Sequence, residues 1–242
     1  MKIIGVIPAR FESSRFPGKP LIDLKGKTMI QRVYEGAKQS KLLSDVIVAT
    51  DDQRVYDEVK RFGGNVQMTS ENHTTGTDRC GEVIENIDCD IVINIQGDEP
   101  LVDSRQLDQV CEAFEDENVQ IATLGIKNVS EEDLQNKNRI KIVCDSNNNA
   151  LYFSRSSIPN QENAKESVAN DYPFLRHIGL YAYRASVLNK LVNLEPTTLE
   201  KIESLEQLRW LYHGYKIRVV ETDIETPNID VPEDVSAVLD LL

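Results

Sequence analysis

The sequence is poor in anything that staples a chain or anchors it. Its four cysteines, Cys80, Cys89, Cys111 and Cys144, stand 9, 22 and 33 residues apart with no C-x-x-C pair. The three histidines, His73, His177 and His213, complete no zinc-ligand spacing with them. Free thiols in a reducing compartment are therefore expected. No apolar run approaches the roughly 18 residues of a membrane span, so the membrane is excluded as a partner. The apolar run near Met1 is too short for a secretory signal, which predicts a cytoplasmic location. Twelve glycines and nine prolines are too few for a fibrous or low-complexity chain. Positive charge is scarce too: 27 Lys and Arg face 40 Asp and Glu, a net charge of −13. Such a field repels nucleic acid, and a polyanionic ligand would need a local gathering of cations.

The chain has 242 residues, 40% of them hydrophobic and 28% charged, enough to bury a core without staples. Residues 2–7 form a short apolar run ending at Pro8 and read as a buried strand. Thr28-Met29-Ile30-Gln31 has the form of a capping box, and Ile30, Val33, Tyr34 and Ala37 follow at helical spacing. Residues 45–50 are a second strand. Val55, Val59 and Phe62 mark a helix that stops at Gly63-Gly64. Residues 90–95 are a third strand, followed by a helix entered at Ser104 and marked by Leu107, Val110, Cys111 and Phe114. Strand–helix alternation with short links predicts an α/β fold, a mostly parallel sheet with helices on both faces.

The middle of the chain departs from that alternation. Residues 139–144 and 150–154 flank the polar cluster 145–149 and read as a hairpin. Residues 160–171 are polar and aperiodic and read as a loop. Strands at 178–183 and 215–221 and helices at 204–212 and 232–242 complete the pattern. We read one domain, 1–242, with a β-rich insertion at roughly 139–184.

The gathering of cations lies just past the first strand. Residues 8–20 hold Arg10, Arg15 and Lys19 against a single acid, Glu12. In open α/β sheets ligands sit beyond the carboxyl ends of the strands, and Gly18 allows backbone to approach an anion. Arginine forks and a lysine point charge suit phosphate. The P-loop pattern is absent, so this is not a Walker-type site.

The segment IPARFESSRFPGKPL resembles the signature of the 3-deoxy-manno-octulosonate (Kdo) cytidylyltransferases. Further matches occur in family order: Thr75-Gly76-Thr77-Asp78-Arg79, the run from Asn94 to Pro100, Leu151-Tyr152-Phe153-Ser154-Arg155, the run from His177 to Arg184, Leu205-Glu206-Gln207-Leu208-Arg209 and Asp230-Val231-Pro232-Glu233-Asp234. The resemblance covers essentially the whole chain. It implies a Rossmann-like nucleotidyltransferase fold, a homodimer in which the insertion contributes to the interface, Mg²⁺ dependence, and the reaction of CTP with Kdo, an acidic eight-carbon sugar, to give CMP-Kdo and diphosphate for lipopolysaccharide synthesis.

By the same resemblance Asp98 and Asp230 bind Mg²⁺, hard carboxylates suited to a hard cation. Arg10, Arg15 and Lys19 are assigned to the CTP phosphates, with Lys19 and Arg15 acting on the leaving diphosphate. Pro8, Ala9 and Gln96 join the nucleotide site. The sugar positions are Arg79, Gln96, Arg155, His177, Tyr181, Glu206 and Gln207, with Arg79 or Arg155 pairing the carboxylate. No residue stands out as a general base. Val231 replaces the threonine usual in this motif and removes a hydroxyl that would cap the last helix. Asp88-Cys89-Asp90 has the D-x-D spacing of some metal sites but precedes its strand, at the wrong edge of the sheet. The alternative substrate is the 8-amino analogue of Kdo, for which the candidate acids are Glu162 and Glu166. A non-catalytic nucleotide-binding protein on the same fold is disfavoured by the presence of all five charged site residues.

Overall fold

A computed structural model of the chain describes residues 1–12, 16–127, 129–165 and 172–242. The first half alternates as expected. Strand β1 is Ile3–Pro8, followed by a two-stranded ribbon, β2 Asp23–Leu24 and β3 Lys27–Thr28, and helix α1, Met29–Ala37. Then come β4 Asp45–Thr50, α2 Gln53–Arg61, β5 Val66–Met68, α3 Gly76–Ile84, β6 Ile91–Asn94, α4 Ser104–Glu112, β7 Ile121–Ile126 and α5 Glu131–Gln135. The second half holds the hairpin β8 Lys141–Cys144 and β9 Ala150–Ser154, the long strand β10 Leu175–Arg184, helices α6 Ala185–Leu191, α7 Thr198–Glu203 and α8 Gln207–Tyr212, strand β11 Ile217–Thr222 and helix α9 Asp234–Leu241.

The main sheet runs β11-β7-β10-β6-β1-β4-β5. Every pair along it is parallel except those made by β10, which is antiparallel to both β6 and β7. The insertion hairpin joins through β8, which pairs with β10. β1 shows why the sheet must be covered twice. Its Ile3 and Ile7 enter one buried cluster with α1, α2, α4 and α9, while Ile4 and Val6 enter the other with α3, α6 and α8. A strand buried on both faces reads as a continuous apolar run rather than an alternating one.

Four local expectations need correction or refinement. Thr28 sits at the N-cap of α1, but its hydroxyl donates to Glu58 Oε1 (2.7 Å) and Gln31 donates to Glu35, so no capping box forms. Asp103, not Ser104, caps α4, accepting from the Arg105 amide. The helix expected over 204–212 is the shorter α8, Gln207–Tyr212, and α7, Thr198–Glu203, which the sequence reading did not include, precedes it across Ser204 in the left-handed conformation (φ 53°). Helix α3 was not read from periodicity because it is buried nearly all round, through Thr77, Arg79, Cys80, Gly81, Val83 and Ile84. Its legible signal was the capping box of Thr75 and Asp78, which the structure forms in both directions.

Asp90 of the D-x-D accepts from the Lys2 amide (2.7 Å) at the amino edge of the sheet, a structural contact remote from the carboxyl edge. All four cysteines are free. Among the described residues no helix is long and apolar enough to cross a membrane.

Candidate active site

β1 and β6 are neighbouring parallel strands, so the loops leaving Pro8 and Asn94 emerge side by side. They touch at Gly97, where a Cβ would lie 2.7 Å from the Pro8 carbonyl oxygen. Only glycine allows that approach. The first loop folds back on itself: the Gly18 amide, in the left-handed region (φ 75°), donates to the Phe11 carbonyl (2.9 Å). The 3-10 turn Lys19–Leu21 starts there and carries Lys19 over the sheet edge. Arg15 lies outside the described residues.

Lys19 ties three loops together. Its Nζ donates to Asp98 Oδ2 (2.9 Å) and to the Ile229 carbonyl (2.9 Å), and it stands 3.9 Å from Asp230 Oδ1. The Ile229 amide donates in turn to the Asp98 carbonyl, fixing the loop before α9 against the loop after β6. Asp98 and Asp230, 132 positions apart by their numbering, thus share one ammonium. Helix α9 has no side-chain cap hydrogen bond; the Asp234 carboxylate instead accepts the Asp230 and Val231 amides (2.8 and 3.0 Å) and fixes the turn before the helix.

Three cavities meet along this edge. One of about 380 Å³ is lined by Pro8, Ala9, Arg10, Lys19, Thr75, Gly76, Arg79, Gln96 and Asp98. A second, about 370 Å³, lies between Gln96, Asp98 and Asp230 on one side and Arg139, Arg176, His177 and Glu225 on the other. The third, about 190 Å³, is lined by Gln96, Gly179, Tyr181, Thr77 and Glu206. Gln96 lines all three and is held by its own donation to the Gly179 carbonyl (2.9 Å). A half-exposed Arg10 reaches only to within 3.8 Å of Asp51, leaving its guanidinium available in the first cavity.

The two arginines that the resemblance assigns to the sugar carboxylate each have partners within the chain. Arg79 is buried in α3, where it is paired with Asp51 and donates to Thr69 Oγ1 (2.7 Å) and the Ser70 carbonyl (3.2 Å). It lines the cavity beside Arg10 and Lys19 rather than the one holding His177. Arg155 donates to the carbonyls of Glu203, Lys137 and Ser204 (2.7, 3.1 and 3.3 Å) on the wall of an outer groove. In their place the second cavity contains Arg139 and Arg176, which sequence reasoning missed. Arg176 directly precedes the His177 motif, and that adjacency was the available signal. Gln207 is buried beside Glu206 but lines none of the three cavities.

Electrostatics differ sharply among these groups. Burial, aided by Arg176, pushes His177 down to about 3, so it stays neutral. Its Nε2 lies 3.0 Å from Thr123 Oγ1, and that hydroxyl donates to the Leu180 carbonyl (2.8 Å). With the hydroxyl proton committed, Nε2 is the protonated nitrogen and donates. Glu206 is pushed up to about 7 by burial, against the pull of a hydrogen bond from Thr77 Oγ1 (2.9 Å). Glu99 is likewise raised to about 7, by burial and then by the neighbouring Asp98 charge.

A cation-lined cavity at the sheet's carboxyl edge, joined to a second polar cavity at a pair of aspartates, is an arrangement for joining a nucleotide to another polar molecule. The sequence model of the family described as "Cytidylyltransferase" matches residues 4–217. The chain belongs to the cytidylyltransferase family.

Within it, this cytidylyltransferase is similar to the 3-deoxy-manno-octulosonate cytidylyltransferase of Bacteroides thetaiotaomicron, 52% identical over 97% of this chain and 95% of that protein. It is 49% identical to the enzyme of the same name from Vibrio vulnificus, over 100% of this chain and 98% of the relative. A solved structure of CMP:2-keto-3-deoxy-manno-octonic acid synthetase complexed with CTP superposes with a TM-score of 0.93 at 42% identity, covering 100% of this chain and 98% of that one. Such an enzyme handles a triphosphate, and the donor set suits the accompanying cation. Asp98 and Asp230 offer hard carboxylate oxygens around a point already occupied by a positive charge, Lys19 Nζ. Among the described residues no group of three or more His, Cys, Asp or Glu forms a complete protein cage. Two carboxylates completed by phosphates and water is the usual arrangement for Mg²⁺.

Proposed function

We propose that the chain transfers CMP from CTP to Kdo. The sugar's anomeric hydroxyl oxygen attacks the α-phosphorus, the bond from that phosphorus to the bridging oxygen breaks, and diphosphate leaves. The observation that carries this reading is the meeting of two cavities at Gln96 and Asp98, one rich in cations and the other in polar sugar partners. Positioning and charge stabilisation dominate such transfers.

The nucleotide occupies the cavity of Pro8, Ala9, Arg10 and Lys19, with Arg15 completing the phosphate contacts. Asp98 and Asp230 hold Mg²⁺, which when bound screens the phosphate charge and helps stabilise the leaving diphosphate. Lys19 neutralises these aspartates in the free chain and faces phosphate oxygens in the loaded one. Gln96, His177, Tyr181 and Glu206 receive the sugar, and Gln207 follows Glu206 at the start of α8. A neutral His177 offers hydrogen bonds to hydroxyls without adding charge. Kdo rather than its 8-amino analogue is the expected sugar, because the motifs match the Kdo enzymes and the relatives are named for that sugar. Glu162 lines none of these cavities, and Glu166 lies outside the described residues. The molecule acts as a homodimer, with the insertion at the interface, in the cytoplasm, where its free thiols stay reduced.

Diphosphate release from CTP tests this directly. We expect turnover with Kdo that requires Mg²⁺, a kcat/KM lower for the 8-amino sugar, and loss of most turnover in Asp98→Asn and Asp230→Asn without unfolding. Near-normal rates at saturating Mg²⁺ in either variant would remove that residue from the metal site. A preference for the amino sugar would exchange the substrate and leave the nucleotide site as described.

A further inference from the structure

We propose that Lys141 is a positioning residue for the sugar: its buried ammonium clasps the loop before β8 to the end of β9, and so fixes one wall of the second cavity without touching substrate. The proposal deepens the Kdo reading and rests on it.

Lys141 opens β8, where it pairs in register with Ser154 of β9 and Arg176 of β10, and it is fully buried. Burial penalises an ammonium and lowers the pKa of Lys141 from the ordinary lysine value, with Asp133 and Glu203 opposing the shift. A charge persists in such a place only where fixed dipoles replace the lost water. Main-chain carbonyls do so here. Nζ donates to the carbonyls of Asn136, Arg139 and Arg155 (2.9, 2.7 and 2.7 Å). An ammonium has three donors, and these contacts use all of them.

The acceptors come from two separate stretches. Asn136 and Arg139 lie between α5 and β8, and Arg155 directly follows β9. One side chain thus joins two segments that the sheet itself leaves apart at this end. Arg155 closes the same joint from its own side, with Nη1 donating to the Lys137 carbonyl (3.1 Å) and Nε to the Glu203 carbonyl (2.7 Å).

The clasped loop is part of the sugar site. Asn138, Arg139 and Ile140 line the second cavity, and the Ile140 carbonyl accepts from the His177 amide (2.8 Å). Removing the ammonium would leave three buried carbonyls without their donor, and the loop would shift to find water. His177 and the cavity wall would shift with it. A displacement of about 1 Å at a substrate-positioning wall can cost up to about a hundredfold in rate. None of residues 136–141 lines the cavity of Arg10 and Lys19, so the nucleotide should not feel the change. A lysine that served stability alone would show no such division between the two substrates.

The experiment uses the intact enzyme. Diphosphate release gives kcat and the KM for Kdo and for CTP, and hydrogen exchange follows the Arg139 amide, which donates to the Asn136 carbonyl. Lys141→Met should raise the KM for Kdo by about tenfold and leave the KM for CTP within about twofold. The Arg139 amide should exchange faster in this variant than in wild type. Lys141→Arg, which keeps the charge and its donors, should recover part of the lost affinity for Kdo. Should Lys141→Met not fold, Lys141→Gln carries the same test, because a neutral amide has too few donors for three carbonyls. An unchanged KM for Kdo, equal weakening of Kdo and CTP, or unchanged exchange at Arg139 would each overturn the proposal. Absence of diphosphate release by wild type with Kdo would overturn the substrate reading, and with it the assignment of the clasp to that sugar, a result distinct from any behaviour of the variants.

Discussion

Glu206 and His177 face the same region of the molecule with opposite responses to burial. Both are pushed toward their neutral forms, which raises the acid to about 7 and lowers the base to about 3. The consequence for stability follows from proton counting. A glutamate ordinarily titrates near 4.5, so between about pH 4.5 and 7 the folded chain holds a proton on Glu206 that the unfolded chain has released. Its contribution to stability is therefore lost as pH rises through that window. His177 works the other way. Between 6.5 and about 3 the unfolded chain takes a proton that the folded chain refuses, so stability is lost as pH falls. Replacing Glu206 with Gln keeps an acceptor for Thr77 and removes the titration. The variant should lose less thermal stability than wild type between pH 5 and 8, with a difference of about 1–3 kcal/mol. Identical melting profiles across that range would show that Glu206 is not held neutral.

At the scale of elements, the site depends on how closely two strand ends approach. The β1 and β6 loops meet where Gly97 lies against the Pro8 carbonyl, and Lys19 and Asp98 are carried on the chain beyond those ends. Gly97→Ala would put a methyl 2.7 Å from that backbone oxygen, and a backbone atom cannot step aside as a flexible side chain does. We expect kcat/KM to fall at least about tenfold while the melting temperature moves by only a few degrees, since the contact lies at the rim of the sheet rather than in its core. Undiminished activity would mean that the two loops are not held to a fixed spacing. The same scale shows which elements the sequence disclosed. The strand at 45–50 and the hairpin about 145–149 were legible because apolar runs and turn residues are local signals. Helix α3 was not, because a helix buried all round carries no stripe. Helix α7 was missed and α8 was started too early, because the left-handed Ser204 between them has no strong local signature.

Across the whole molecule, the insertion leaves an unfinished surface. Among the described residues β9 pairs only with β8, which leaves its other edge without a strand. Leu151 on that strand, Ile202 on α7 and Tyr212 on α8 are all exposed, and α8 packs against both β9 and α7. Open strand edges with large exposed apolar side chains are commonly covered by another chain. We expect the wild-type protein to sediment as a dimer, and the double variant Leu151→Asp, Ile202→Asp to sediment as a monomer of unchanged helix content. A dimer that survives this pair of charges would place the interface elsewhere on the molecule.

The sequence by itself determined the α/β class, the cation-bearing loop after the first strand and the family. Each rests on residues close together in the chain or on motifs in a fixed order, and such signals survive without coordinates. Tertiary structure decided which distant groups share a cavity. The ammonium of Lys19 meets Asp98 and Asp230 because the loop after β6 and the loop before α9 are bonded through Ile229. Structure also showed how each arginine is partnered. Local patterning cannot tell a guanidinium spent on Asp51 or on backbone carbonyls from one left facing a cavity, because that depends on partners far away in sequence. Arg79 and Arg155 sit in the stronger motifs and are committed to the scaffold, whereas Arg139 and Arg176 face the second cavity because β8 and β10 pair beside it.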